Sequence, residues 1–580
     1  MTSFRHFEPE TYESELTAIL GELGELESFG AAELQRVLRR HPKDGRGLFS
    51  KSELVRGFRR FRHRLDPGID AQAFLDRLRM KPVRTMSGVA PVTILTKPFP
   101  CPGQCIFCPS DVRMPKSYLS DEPGAQRAAQ HQFDPYLQTL SRLQAYHNNG
   151  HPTDKVELIV LGGTWSSYPE PYQIWFIKRC LDALNDFDGE SSDRLPSIEP
   201  ELDFRDLDET VDGRAMDTTY NQVVTEFAGG AGEEAESWSE LRRQQRINER
   251  AGARCVGLVV ETRPDHLTLD ETIRMRRLGA TKIQIGYQSL SDEVLALNRR
   301  GHDVASTRKA MGMLRQAGFK IHAHWMPNLH GSDPERDIVD YRRVFGDSDF
   351  RPDELKIYPC SLIESAELMA YYERGDWRPY GHHELLAVLT ECMRETPRYC
   401  RLTRVIRDIP GTDIVDGNKL TNFRELAEAE LGRQGRACAE IRAREVRDHH
   451  VDHRDLRLEA TVYRTAIGTE HFLEFVTPED RLAAFLRLSL PSRPVPIPEI
   501  GDAAMIREVH VYGRLVGLGD RRVGPQQHLG LGRRLIAEAE SRAAAAGYKT
   551  LAVISSVGTR EYYRKLGFEN GALYQSKPLP

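Results

Sequence analysis

Cys101, Cys105 and Cys108 stand close together in the run CPGQCIFCPS. Thiolates ligate iron–sulfur clusters, so a CxxxCxxC run reads as a cluster loop, a structural zinc knuckle or a chance spacing. Zinc needs a fourth ligand close by, and none is obvious; the nearest downstream histidine is His131. Three thiolates on a 4Fe-4S cluster leave one iron without a protein ligand, and that iron can bind a small molecule through an amine and a carboxylate. Far along the chain, QHLGLG opens a helical stretch, with Gln527, Gly530, Leu531, Gly532 and then Arg533. A Q-x-x-G-x-G turn aims successive backbone N–H groups at a phosphate, with the helix dipole behind them. That suits the pyrophosphate of coenzyme A, although glycine patterns of this kind are common in loops. The pair says more than either motif, because a chain carrying both should couple one-electron chemistry to an acyl-CoA.

The elements around these motifs are legible from periodicity. Residues 85–400 alternate strand-like runs (VTILTK, KVELIVLGG, CVGLVVET, KIQIGYQS, KIHAHWMP, ELKIYP) with helical stretches. This predicts an α/β fold with a parallel sheet, either a full or a partial barrel. Such barrels place ligands at the C-terminal strand ends, and the cysteine loop follows the first strand. Gly162, Gly163 and Thr164 end the run KVELIVL, where glycines let backbone approach a ligand closely. A GG at a strand end is more often only a turn; its position one β–α unit after the cysteines gives it weight. Residues 401–455 read as a charged helical connector, and 456–580 as a second, smaller αβ unit.

Residues 1–84 read as helices that turn basic. SELTAILGELGELESF and AAELQRVLRR place apolar residues three and four apart, and FSKSELVRGFRRFRHRL begins with Ser50 or Ser52 as N-cap. Phe58 and Phe61 are interleaved with arginines such as Arg59 and Arg60, and acids are sparse. A solvated helical face is the plain reading; one-sided charge that neutralises phosphate is the other. Residues 186–240 hold 17 Asp or Glu against three Arg, a charge of −14. The whole chain is −5, so the remainder is +9, a basic body suited to a polyanionic partner. The acidic segment reads as a surface insertion whose composition favours disorder.

With 580 residues, two to four domains are expected. The N-terminus lacks an apolar h-region and no apolar run is long enough to span a bilayer, so a cytoplasmic protein with no membrane partner is expected. Nine cysteines, three of them in eight positions, do not form a secreted disulfide pattern.

The three-cysteine spacing, with Phe107 before the last cysteine, resembles the radical S-adenosylmethionine (SAM) enzymes. In these the cluster passes one electron to the sulfonium and a 5′-deoxyadenosyl radical results. An element like GGT binds the SAM amine there. The order IREVHVYG, QHLGLG, Ala-rich helix, TLAVISS, EYYRKLGF resembles the GNAT acetyltransferases. Tyr563, or Tyr562, would then lie beside the CoA sulfur and protonate a leaving thiolate, with simple core packing as the alternative for one of the two.

From about Lys81 to the C-terminus, apart from the acidic segment, the chain resembles the Elongator catalytic-subunit family in its single-chain prokaryotic form. KPVRTMSGVAPVTILTKP, FDPYLQT, CVGLVVETRPD, NRRGHDV, RPDELKIYP and VGTREYYRKLGF carry the likeness. It implies that an acetyl group from acetyl-CoA is activated at its methyl carbon and joined to C5 of the wobble uridine, U34, of tRNA. On this resemblance Cys101, Cys105 and Cys108 hold the cluster, and Lys155 contacts acetyl-CoA from the radical domain; without it, Lys155 is a surface lysine before a strand. Glu508, Val509, His510 and Val511 match the CoA-binding strand, Leu531, Gly532 and Arg533 the turn, and Tyr563 the CoA tyrosine. The basic helices would grip the tRNA anticodon stem-loop. A homodimer is left open, and no partner subunit is implied.

One departure concerns the connector. Several prokaryotic relatives carry a CxCxxCRE metal knuckle where this chain has CAEIRARE, with Glu440 and Ala443 at cysteine positions beside Cys438. No zinc is expected there, so packing or salt bridges must hold the segment. Three rival functions stand beside the main one. They are a lysine acetyltransferase with a non-catalytic radical domain, a tRNA-binding sensor of acetyl-CoA, and a radical enzyme acting on another RNA or small molecule.

Overall fold

Long runs of Val, Ile and Leu that bury both faces pair as parallel strands beneath covering helices. Seven strands, several of them such runs, form the first sheet: β1 (Ala90–Leu95), β2 (Lys155–Leu161), β3 (Arg254–Thr262), β4 (Lys282–Gln288), β5 (Lys320–Trp325), β6 (Glu354–Ile357) and β7 (Arg401–Arg404). They pair in chain order, each parallel to the next, and β1 does not meet β7. The sheet is an open, partial barrel, and its last strand falls at the start of the stretch 401–455 expected to be connector. The computed structural model describes residues 7–26, 28–81, 85, 87–189, 220–225, 234–447, 454–512 and 530–580. Crossover helices begin at side-chain caps, with Asp134, Thr268, Asp303 and Asp333 each accepting from a first-turn N–H. Among the described residues no helix is long and apolar enough to cross a membrane.

The second sheet starts as an antiparallel meander of β8 (Arg457–Thr465), β9 (Gly468–Val476), β10 (Leu482–Pro491) and β11 (Ala504–Val511). Then β11 pairs parallel with β12 (Thr550–Val553), and β13 (Glu569–Asn570) and β14 (Gln575–Pro578) complete the order β8-β9-β10-β11-β12-β14-β13. The parallel contact is short: Ala504–Ile506 face Leu551–Val553 and the strands then part. Beyond that point β11 is paired only on its β10 side. The result is a wedge between β11 and β12 with one free strand edge.

The second sheet docks on the N-terminal ends of the barrel strands, opposite the cysteine loop. One hydrophobic core runs through both sheets. Charge reinforces the seam. Asp353, fully buried just before β6, accepts from Arg507 Nη1 and Nη2 at 2.8 and 2.6 Å, while Arg507 Nε reaches Glu470 at 3.0 Å. The Arg276 guanidinium donates to the carbonyls of Leu573 and Ser555 at 2.9 and 2.7 Å. Ser556 Oγ donates to the Cys255 carbonyl at 2.8 Å. In the connector, Glu440 is fully buried: its carboxylate accepts from the Leu402, Arg442 and Ala443 amides and pairs with Arg424 at 2.5 Å. A salt bridge and three amides thus stand at the position of a knuckle cysteine.

The N-terminal helices α1 (Glu13–Glu25), α2 (Ala31–Arg40), α3 (Lys51–Phe61) and α4 (Ala71–Leu78) close around their own core. Ser50 is the α3 cap, accepting from the Glu53 amide. Here the expectation of an aromatic, arginine-rich face needs correction. Phe58 and Phe61 are buried, Phe58 stacking on Phe74 with ring centroids 4.5 Å apart. Arg59 is half-buried and donates to the His147 carbonyl at 2.5 Å, fixing α3 to the barrel. The reason is helical phase: positions 54, 55, 58 and 61 share the inward face, whereas Arg60 points outward to Glu10.

Candidate active site

The cysteine loop is held from three sides. Asn221, inside the acidic segment, pairs both amide groups with the Cys101 backbone: Oδ1 accepts from its N–H at 2.9 Å and Nδ2 donates to its carbonyl at 3.1 Å. Tyr220 donates to the Met114 carbonyl at 2.9 Å and lies under the Lys116 ammonium. Part of the acidic segment therefore returns to the loop, which its composition does not reveal. At Cys105, Arg300 Nη1 donates to Sγ at 3.0 Å and Arg263 Nη1 stands 3.8 Å away. Cys108 Sγ lies 3.0 Å from Ser117 Oγ.

These surroundings sort the thiols. A hydrogen bond from Cys108, helped by Arg300 and Arg263, holds Cys105 well below the ordinary thiol range against the opposing effect of burial. Cys108 is pushed up by the same contact and by burial, and Cys101 is raised by burial. Among the described residues no three His, Cys, Asp or Glu side chains converge on one ion-sized point.

Gly162 and Gly163 sit beside this loop. A Cβ on Gly162, whose φ is +139°, would stand 1.9 Å from Thr96 Oγ1, so only glycine fits. A Cβ on Gly163 would meet the Tyr168 hydroxyl at 3.2 Å. Thr164 is buried and its carbonyl accepts from Ser167 Oγ at 2.6 Å. The GGT turn thus brings bare backbone to the barrel's C-terminal end.

The acyl-CoA features gather at the other end. Glu508, Val509, His510 and Val511 form the diverging half of β11. Leu531, Gly532 and Arg533 make the first turn of the helix Leu531–Ala545, after Gly530 at φ +69°. A Cβ on Gly532 would meet the Tyr562 hydroxyl at 2.9 Å and Val511 Cγ2 at 3.8 Å, so turn, strand and Tyr562 are neighbours. The two tyrosines differ in exposure: Tyr562 is 42% exposed at the helix N-terminus, while Tyr563 is buried and faces inward. Burial pushes the Tyr563 phenol well above its ordinary range. Lys155 opens β2 in register with Arg254, at the barrel end against which Gly558 packs. Gln527 lies outside the described residues.

A cavity of about 950 Å³ joins the two ends. Cys108, Ser117 and Gly162 line one end, and His510, Ser555 and Tyr563 the other. Its wall carries an alternating lattice: Lys282 to Glu157 at 2.7 Å, Lys320 to Glu354 at 2.7 Å and Lys320 to Glu508 at 2.5 Å. Burial pulls His510 down to about 4, so it is neutral near pH 7. A histidine depressed from 6.5 destabilises the fold as pH falls, because the unfolded chain binds the proton first; the loss runs from about pH 6.5 to 4 and approaches about 3 kcal/mol. His510→Gln should flatten that part of the stability profile, measured as the thermal midpoint against pH; an unchanged slope would assign the acid sensitivity to other groups.

Sequence reasoning does not single out Arg263, Arg300 or Asn221. The first two lie in ETRPD and NRRGHD, where their position just after a barrel strand or in a following loop is the available signal.

Comparison with known proteins agrees with both halves. Residues 352–433 match the radical SAM C-terminal domain and residues 523–575 the acetyltransferase (GNAT) domain. The chain is 39% identical over 520 residues to tRNA uridine(34) acetyltransferase of Methanocaldococcus infernus, covering 87% of this chain and 88% of that protein. It is 38% identical over 506 residues to the Dehalococcoides mccartyi protein of the same name, covering 86% and 99%. Identity to Elongator complex protein 3 of Homo sapiens is 32% over 526 residues, covering 88% and 87%. The solved structure of M. infernus Elp3 with an N-terminal deletion superposes with a TM-score of 0.68 at 35% identity, covering 85% of this chain and all of that one. The chain belongs to the family of Elongator complex protein 3 and the tRNA uridine(34) acetyltransferases.

Proposed function

We propose that this chain modifies the wobble uridine, U34, of tRNA, joining the methyl carbon of an acetyl group from acetyl-CoA to C5 of the base in a SAM-dependent radical reaction. The product would be a 5-carboxymethyluridine-type nucleoside, made in the cytoplasm. The observation that carries this reading is the single cavity lined by Cys108 at one end and Tyr563 at the other. A bound cluster supplies one electron to the SAM sulfonium. The chain's own residues do the rest of the positioning. Cys101, Cys105 and Cys108 hold the cluster, and the GGT turn offers backbone to the SAM methionine. The free edge of 508–511 and the Leu531–Arg533 turn hold pantetheine and pyrophosphate. Lys155 reaches the same acyl-CoA from the barrel, and Tyr563 protonates the CoA thiolate that leaves when water attacks the thioester carbonyl and frees the product carboxylate.

Nucleoside mass spectrometry of tRNA incubated with cluster-loaded enzyme tests this. 5-Carboxymethyluridine at U34 should form only when SAM and acetyl-CoA are both present. Acetyl-lysine made without SAM, and unmodified tRNA, would move the assignment to a protein acetyltransferase.

Exposed arginines without an acidic partner are the ones left to meet tRNA phosphates. Arg39 and Arg46 are exposed and, among the described residues, have no carboxylate within 4 Å, unlike Arg40 on Glu22 at 2.7 Å. The double variant R39E/R46E should weaken tRNA binding. It should also flatten the slope of log K against log salt by roughly 0.7–0.9 for each phosphate that is no longer neutralised. Unaltered affinity and slope would remove this face from the tRNA site.

A further inference from the structure

We propose that Arg300, seconded by Arg263, sets the reduction potential of the iron–sulfur cluster through the sulfur of Cys105. This role rests on the cluster being held by the cysteine loop, and it falls to two residues that touch a ligand sulfur directly.

The geometry is asymmetric among the three cysteines. Cys101 Sγ receives a neutral donor, the Gly103 amide at 3.4 Å, and Cys108 Sγ meets the Ser117 hydroxyl at 3.0 Å. Among the described residues, Cys105 is the cysteine of the three whose sulfur takes a guanidinium contact, with Arg300 Nη1 at 3.0 Å and Arg263 Nη1 at 3.8 Å. Both guanidiniums are buried, so solvent does little to screen them. Their compensation differs. Arg263 is neutralised by Asp265, with Nε–Oδ1 and Nη2–Oδ2 contacts of 3.0 and 2.9 Å. Arg300 has no carboxylate within 4 Å among the described residues; its Nη2 donates to the Gly286 carbonyl at 2.6 Å and its Nε is buried without a partner.

A buried cation without a counter-ion is costly, and the anion beside Arg300 is the Cys105 thiolate. A cluster on three thiolates is anionic and gains one more negative charge on reduction. The cation therefore favours the reduced state more than the oxidised one, and both net charge and hydrogen bonds to sulfur raise a cluster's potential. Arg300 is also locked in place by the loop that carries it, since the Asn298 carbonyl accepts from the Ile106 amide next to Cys105.

The test is an EPR-monitored redox titration of the reconstituted full-length protein, without tRNA or acetyl-CoA. In the fraction of R300Q that carries iron and sulfide, the reduced-to-oxidised ratio at fixed solution potential should fall at least tenfold, about 59 mV for a one-electron couple. R300K, which keeps the charge, should recover most of the shift. Asp265→Asn removes the counter-charge from Arg263 and should move the midpoint upward, which keeps the proposal testable if R300Q assembles poorly. An unchanged midpoint in loaded R300Q, or a midpoint at or below wild type in Asp265→Asn, overturns it. A wild-type protein that takes up no iron would instead overturn the cluster reading on which the proposal stands.

Discussion

Cys105→Ser should reduce 5′-deoxyadenosine formation and uridine modification below detection while leaving acetyl-CoA binding intact. Cys105 is buried at the C-terminal end of the barrel and is the thiol most readily ionised of the three. A serine hydroxyl is a hard, protonated donor at neutral pH and a poor substitute for a soft thiolate on iron. The acyl-CoA wedge lies across the cavity on another sheet, so its affinity should not follow. Chromatography of the SAM products and calorimetry with acetyl-CoA read the two halves separately. Wild-type amounts of 5′-deoxyadenosine from the variant would refute the role of the loop; loss of acetyl-CoA binding would show that the variant disturbs the fold beyond its own end.

The second large effect is on stability. Arg507→Met should lower the unfolding free energy by about 3–5 kcal/mol, the usual result of removing one partner from a buried ion pair. Burial pushes the Asp353 carboxyl up, but Arg507, Arg487 and Arg315 outweigh it and hold the group well below the ordinary carboxylate range. Without Arg507, Asp353 and Glu470 lose their closest cation at 0% exposure. The Phe319 carbonyl, which accepts from Arg507 Nη1 at 2.6 Å, is orphaned as well. Because that arginine joins β11 to the barrel, the thermal midpoint should drop by roughly 3 °C for a cooperative unit of this size and the wedge should lose order with it. A midpoint within a degree of wild type would mean that the network contributes little beyond its own desolvation.

Much of this is legible in the sequence because the signals are local. Strand runs, glycine stops and the cysteine spacing each depend on a few neighbouring residues, and they lead to a full or partial barrel and a second αβ unit. What is not legible depends on contacts made across the chain. Arg300 is one arginine among many until it is seen against Cys105, which is 195 residues away in sequence. Asn221 lies in a segment whose composition argues for disorder, yet its amide pairs with Cys101. Phe58 and Phe61 mislead because interleaving with arginine says nothing of which helical face turns inward. Tyr562 and Tyr563 are adjacent in the chain, and only the packing shows which of them faces the cavity. Glu440 is visible as a missing cysteine, but its amide partners and Arg424 are not.

The central claim is that one acetyl group meets both ends of one cavity. Incubation of cluster-loaded enzyme, SAM and tRNA with acetyl-CoA deuterated at the methyl group tests it most directly, followed by mass spectrometry of the nucleosides. The account predicts deuterium in the 5′-deoxyadenosine and in the carboxymethyl group on U34. Unlabelled 5′-deoxyadenosine beside a labelled acetyl product on protein would contradict it, because the two sheets would then be acting on different substrates.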